Sequence, residues 1–84
     1  MNRYFFHTED GHYIADMEGT ELPDLAAARC DAVQLLVDLL DKQPEVFWRN
    51  ESFRVIVSDD SGITLFRIEL SAVMAPALQL SAVG

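Results

Sequence analysis

The sequence has one cysteine, few basic residues and no long apolar run, and each shortage excludes a class of protein. The single cysteine, Cys30, excludes an internal disulfide and favours a reducing compartment. Six Lys and Arg stand against 14 Asp and Glu. The net charge of −8 disfavours a general nucleic-acid binder, which needs cations to neutralise phosphates. No apolar run approaches the ~20 residues of a membrane span. We therefore expect an acidic, cytoplasmic protein.

Glycine is also scarce: there are four glycines, and they stand singly at predicted turns or at the C-terminus. A glycine-rich phosphate-binding loop is therefore absent from the sequence. Half of the residues are apolar, which excludes a disordered chain, and 84 residues suffice for one small domain. The first predicted strand begins at Arg3, which leaves no room for a signal peptide.

An apolar helix, predicted from Asp24 to Lys42, organises the chain. The Asp24 carboxylate is placed to accept backbone N–H groups as N-cap, and Pro44 ends the helix. The apolar arc covers ~220° of the helix surface, whereas packing on one sheet needs little more than ~100°. The residues predicted to pack on the sheet are Leu25, Ala32, Leu36 and Leu39. The surplus consists of Val33, Val37 and Leu40, which need cover from the C-terminal tail or from a second subunit.

Arg29 lies inside this apolar arc, in the second turn of the predicted helix. A buried guanidinium without a partner is too costly. We therefore expect Arg29 to pair with a carboxylate of the segment before the helix, namely Asp16, Glu18 or Glu21.

Two β-hairpins are predicted, one on each side of the helix. Strands at residues 3–8 and 12–17 flank Asp10-Gly11, a two-residue turn signal. That turn places Thr8 opposite Tyr13, and the same register gives the further pairs Phe6–Ala15 and Tyr4–Met17. Strands at residues 53–58 and 63–70 flank a turn at 59–62. Residues 43–52 are predicted to form a loop in which Trp48 packs against the helix end.

The predicted fold is therefore α+β: a four-stranded sheet made of two hairpins, with one helix packed on one face. Residues 1–70 form a single ββαββ domain, and residues 71–84 form a short apolar tail. The first and third predicted strands are the most continuously apolar, which favours the antiparallel order 2-1-3-4. A β-grasp-like order 2-1-4-3, with the first and fourth strands parallel, is the alternative.

A set of short motifs resembles a family of small bacterial domains of unknown function that open with an RYFFH-type strand. The motifs are Arg3-Tyr-Phe-Phe-His7, Asp10-Gly11, Asp16, Glu18-Gly-Thr-Glu-Leu22, and Ala28-Arg29 followed by Ala32. The resemblance runs from residue 3 to about residue 70. It implies no activity. A weaker resemblance to HicB-like antitoxin domains covers residues 3–40, where a hairpin also precedes an Ala- and Leu-rich helix.

Few residues suggest chemistry. His7, Glu9 and His12 share one face of the first hairpin and are acceptable zinc ligands, but no fourth ligand accompanies them. Cys30 is typical of a small core residue, since no histidine is placed beside it as a base. We expect no bound metal, no cofactor and no enzymatic activity.

The sheet face away from the helix is the candidate interaction surface. It is predicted to carry Phe5, Ile14, Ile56, Ile63 and Leu65 beside Arg3, His7, Arg54 and Arg67. Exposed apolar patches rimmed by charge are typical of protein interfaces. We therefore expect a protein-interaction or self-association module, most simply a homodimer through this face, with the helix flank as second choice. The alternative is a small regulatory domain that binds single-stranded nucleic acid or another anion on the same face.

Overall fold

The computed structural model describes residues 1–76, which form five strands and two helices around one core. In chain order these are β1 (Asn2–Glu9), β2 (Tyr13–Ile14), β3 (Thr20–Leu22), α1 (Leu25–Lys42), α2 (Pro44–Asn50), β4 (Ser52–Ser58) and β5 (Thr64–Ser71). The predicted α+β class is confirmed. Of the predicted tail, Ser71 belongs to β5, and residues 77–84 lie outside the described part of the chain.

The five strands form one antiparallel sheet in the order β2-β1-β4-β5, and β3 also pairs with β1. This is the predicted order 2-1-3-4, and the β-grasp-like alternative is wrong. Hydrophobic burial explains the choice. The inward-facing residues of β4, Phe53, Val55 and Val57, are almost completely buried, so β4 belongs in the middle of the sheet, between β1 and β5.

The second predicted strand is wrong in extent and register. It consists of β2 and β3, separated by residues 15–19, and both pair with β1. Glu9 pairs with Tyr13, so the hairpin loop has three residues, 10–12, rather than two. A shift of one residue turns side chains to the opposite face. Met17, predicted to face the core, is 85% exposed.

Helix α1 begins as predicted, because the Asp24 carboxylate accepts the N–H of Ala27 at 2.9 Å. It packs on the sheet through Ala28 and Ala32, which are completely buried against Val55 and Val57. Two alanines allow the helix to approach the sheet closely, and Leu35 and Leu36 flank the contact. Leu25 was predicted to pack on the sheet but is 45% exposed, because it lies beside this contact, toward β5.

Residues 43–52 were predicted to form a loop, but most of them form α2. Pro44 both ends α1 and opens α2, since its missing N–H is tolerated at a first helical position. Phe47 is buried, whereas Trp48, the predicted plug, is exposed and meets the Phe47 ring edge-on. Asn50 ties α2 to the first hairpin by donating from Nδ2 to the carbonyl of Asp10.

Gly11 shows how tight that junction is. Its φ is +103°, and a Cβ at this position would lie 2.7 Å from Oδ1 of Asn50. Any other residue would therefore be strained and would also displace Asn50. Within residues 1–76, neither helix is both long enough and apolar enough to cross a membrane.

Candidate functional site

The outer face of the sheet, opposite α1, brings together part of the predicted surface. Phe5, His7 and Ile56 are half-buried and line a shallow depression of about 290 Å³. Ile14 lies in β2 and Ile63 in the turn before β5, and both are largely exposed. The outer face is therefore apolar only at its centre, and its two most exposed isoleucines lie in different parts of the chain.

His7 is held at the centre of this face by two hydrogen bonds. Its Nδ1 accepts the backbone N–H of Asp16 at 3.0 Å. A nitrogen that accepts carries no proton, so the ring proton lies on Nε2, which donates to Oγ of Ser58 at 2.9 Å. Tyr13 stacks on the ring with a centroid distance of 5.8 Å. His7 thus joins β1 to the 15–19 segment on one side and to β4 on the other.

This arrangement differs from a nucleophilic serine–histidine pair. There, Nδ1–H donates to a carboxylate, and Nε2 accepts the hydroxyl proton of the serine. Here His7 donates from Nε2, and Ser58 is buried. The candidate metal-ligand set of His7, Glu9 and His12 is also divided, because the Glu9 carboxylate pairs with Arg54. No group of three His, Cys, Asp or Glu side chains within residues 1–76 is arranged to hold a metal ion.

Asp16 is enclosed by backbone N–H groups. Its Oδ1 accepts from Glu18 at 3.0 Å and from Gly19 at 3.1 Å, and its Oδ2 accepts from Phe6 at 3.1 Å. Burial by itself raises the pKa of the carboxyl, but these three backbone hydrogen bonds lower the pKa below its ordinary value of 3.8. The carboxylate therefore replaces the strand pairing that Phe6 loses where residues 15–19 leave β1.

Two of the three predicted surface arginines are occupied by acidic partners. Arg3 donates to the carbonyl of Glu18 at 2.8 Å and pairs with Glu21 at 3.0 Å. Arg54 pairs with Glu9 and lies 3.5 Å from Glu69, and the hydrogen bond to Glu9 together with the charge of Glu69 raises its pKa. These contacts neutralise the cations that an anion-binding face would need.

Arg67 differs from these two. It lies on β5 opposite Ile56, and within residues 1–76 it forms no ion pair. Arg29 likewise has no carboxylate partner in the described chain, so its predicted pairing with Asp16, Glu18 or Glu21 is wrong. The physical reason is that Arg29 is exposed and needs no counter-charge.

An open apolar groove of about 510 Å³ separates α1 from β5. We call it the β5 groove; its apolar lining consists of Leu25, Val33, Leu65, Phe66 and Ile68. Arg29 and Arg67 line it as well. Leu65 was predicted to lie on the outer face, but the register shift between Val57 and Ser58 brings it toward the helix side.

Charge is distributed unequally on the two sides of α1. The depression between α1 and the β1 side of the sheet is lined by Asp16, Asp31 and Asp38. Among residues 1–76, no carboxylate lines the β5 groove. Val33, which lines the groove, is half exposed, and so is Val37, as the surplus apolar arc predicted. The negative charge of the chain therefore opposes association less at the β5 groove than at the β1 side of α1.

The comparison with protein families gives one result. The model of a family described as a domain of unknown function (DUF6894) matches residues 3–71. The chain belongs to this family. No curated protein and no solved structure gives a significant match. The assignment confirms the expected membership in a small family of unknown function, and it carries no activity.

The structure gives physical roles to several motif residues that the sequence analysis singled out in this DUF6894 chain. Arg3, His7 and Asp16 hold the first hairpin together, and Gly19 lies where a Cβ would meet Arg3 and Phe5 at 2.9 Å. Tyr4, Ala28 and Ala32 are buried in the core. Arg29 is the exception, since it is exposed at the β5 groove.

Sequence reasoning did not single out Phe66 and Ile68 as groove residues, although they both pack against the core and line the β5 groove. They are only partly buried. The predicted strand order could have indicated this exposure. The last strand of the order 2-1-3-4 lies at the edge of the sheet, and one helix over the centre covers an edge strand incompletely.

Proposed function

We propose that this DUF6894 domain is a non-catalytic module that acts by binding a second copy of itself through the β5 groove. The proposal rests on one observation: an exposed flank of α1 adjoins the edge strand β5, which α1 covers incompletely. Val33 is 52% exposed, and Leu70 of β5 is 38% exposed. Monomeric proteins seldom leave a contiguous apolar surface of this kind in water, and association is its usual purpose.

A second copy of the chain suits the apolar lining of the groove. The same chain supplies an apolar strand and an acid-free helix flank, so a two-fold arrangement matches like surfaces on both subunits. Arg29 and Arg67 lie at the border, where charged residues of an interface usually remain in contact with water.

The tautomer of His7 and the burial of Ser58 support the non-catalytic part of the proposal, because the pair is arranged for structure rather than for proton abstraction. The alternative function, binding of single-stranded nucleic acid on the outer face, loses support because Arg3 and Arg54 are paired with carboxylates. We therefore propose one function only.

Light scattering coupled to gel filtration tests the proposal. At ~100 µM, the full chain is expected to give about twice the 9.4 kDa mass of one chain, as micromolar or tighter affinity requires. Val33→Lys should shift the protein toward monomer. Ile14→Lys, at a similarly exposed residue of the outer face, is the matched control and should leave the dimer intact.

Two results would contradict the proposal. A monomeric mass for the unmodified chain at this concentration would remove self-association. Loss of the dimer in Ile14→Lys, with Val33→Lys still dimeric, would exclude the β5 groove as the interface. Circular dichroism of both variants verifies that each remains folded.

A further inference from the structure

The outer edge of β5 is open in the described part of the chain. β5 ends the strand order, and no strand within residues 1–76 pairs with its outer side. Edge strands present unpaired N–H and C=O groups to any strand that approaches, and proteins often protect them with proline or lysine. β5 contains neither residue, and its charged residues are Arg67 and Glu69.

We propose that β5 of one copy pairs antiparallel with β5 of a second copy. The two-fold axis passes midway between the Ile68 residues of the two copies, which lie directly opposite each other. The inference rests on the self-association proposed above and specifies its geometry. Residues that lie directly opposite each other in an antiparallel pair are on the same face of the sheet. An apolar residue of β5 on the inner face, which is the face toward α1, must therefore lie opposite another residue of the inner face. Only three registers near the middle of β5 satisfy this condition, centred on Arg67, Ile68 or Glu69.

Charge selects one of these registers. A centre at Arg67 places two arginines opposite each other, and a centre at Glu69 places two glutamates opposite each other. A centre at Ile68 places Arg67 opposite Glu69 of the second copy, and Glu69 opposite Arg67 of the second copy. Opposite charges stabilise a cross-strand pair, and like charges destabilise it. Arg67, which lacks a carboxylate partner within residues 1–76, gains one in this register alone.

The apolar residues on the inner face of β5 favour the same register. Phe66 meets Leu70 of the second copy, and Ile68 meets Ile68. All three side chains are incompletely buried in the single chain. Pairing places them side by side on the helix side of the joined sheets, where Phe66 and Ile68 line the β5 groove together with Val33 of α1. Two five-stranded sheets thereby become one continuous sheet.

Charge exchange tests this register. Arg67→Glu alone places glutamates opposite each other twice in the homodimer, and Glu69→Arg alone places arginines opposite each other twice. Each single variant should weaken the homodimer by about tenfold or more in Kd, because two cross-strand pairs change from attractive to repulsive. An equimolar mixture should form heterodimers with an affinity close to that of the unmodified chain, as native mass spectrometry can measure.

The double variant Arg67→Glu, Glu69→Arg should dimerise like the unmodified chain, because both cross-strand pairs are restored in reverse. A register centred on Arg67 would leave this double variant as weak as Arg67→Glu, which would overturn the proposal. If the Kd of the dimer is the same in all of these variants, the proposed register is also overturned, although self-association itself would stand. A monomeric unmodified chain would remove both proposals together.

Glu69→Arg also places an arginine opposite Arg54 of its own sheet, which can disturb folding. A second experiment avoids this change. Arg67→Cys and Glu69→Cys proteins, both carrying Cys30→Ser, are mixed and oxidised. Cross-links between position 67 of one chain and position 69 of the other should predominate. Predominance of 67–67 or 69–69 cross-links would overturn the proposed axis.

Discussion

Asp16 and His7 hold each other in place by way of the main chain rather than by a pair of side chains. The N–H of Asp16 donates to Nδ1 of His7, and the carboxylate of Asp16 accepts from the N–H of Phe6, one residue before His7. Residues 15–19 contain two more residues than the stretch of β1 that they cross, because Thr8 pairs with Ile14 and Tyr4 with Thr20. Asp16 thus supplies an acceptor where the strand pairing is interrupted.

Asp16→Ala is therefore expected to destabilise the fold. The change removes the acceptor of three backbone N–H groups, of which the Phe6 N–H is partly buried. A loss of about 1–3 kcal/mol is expected from groups left without a partner. Glu18→Ala is the matched control, two residues away and exposed, and should change stability by less than about 0.5 kcal/mol. Urea unfolding measures both, and equal losses would refute this role of Asp16.

The lowered pKa of Asp16 predicts how stability depends on pH. A carboxyl whose pKa is lower in the folded state than its ordinary value of 3.8 contributes stability that is present above that value. The contribution is lost as the pH falls through the folded-state pKa. The stability difference between the unmodified chain and Asp16→Asn should thus be constant from about pH 7 to 5 and shrink below about pH 4. A difference that instead grows toward low pH would show that the sign is wrong.

The contact between α1 and the sheet depends on small side chains. Ala32 is completely buried among Val55, Val57 and Tyr4, so Ala32→Leu should force the helix from the sheet. Overpacking of this kind costs about 1–3 kcal/mol. Ala26→Leu is the same change on the exposed side of the same helix and should stay within about 0.5 kcal/mol. Thermal unfolding compares them, and equal melting temperatures would mean that Ala32 does not set the helix–sheet distance.

The elements that depend on local signals were predictable from the sequence. Asp24 as N-cap, the strand order, and the inward-facing valines of β4 all follow from capping, alternation and burial. The divided second strand was not predictable, because it depends on hydrogen bonds between Asp16 and residues of another strand. The position of Leu65 depends on a register shift that cannot be read from the alternation of apolar and polar residues in the sequence.

The candidate site was predicted in part. Of the predicted surplus residues of α1, Val33 and Val37 are exposed and Leu40 is half-buried, and Val33 lines the β5 groove. Phe5, His7 and Ile56 lie on the predicted outer face, but Leu65 lies toward the helix side. Arg3 and Arg54 have acidic neighbours that come from β1, β3 and β5. Ion pairs between strands depend on register, and the register of the first hairpin was wrong by one residue. The charge of a sheet face is therefore less predictable than its hydrophobicity.

The two neighbouring aromatic residues of α2 give the last prediction, because the sequence suggested Trp48 as the buried one and the structure places Phe47 there instead. Successive residues of a helix point about 100° apart, so only one of the two can face the core. Phe47→Ala should cost about 3–5 kcal/mol, as for other buried aromatic residues. Trp48→Ala removes a larger side chain that is 58% exposed, so its cost should stay below about 1 kcal/mol. Urea unfolding of the two variants decides the matter, and a larger loss in Trp48→Ala would show that α2 presents the opposite face to the core.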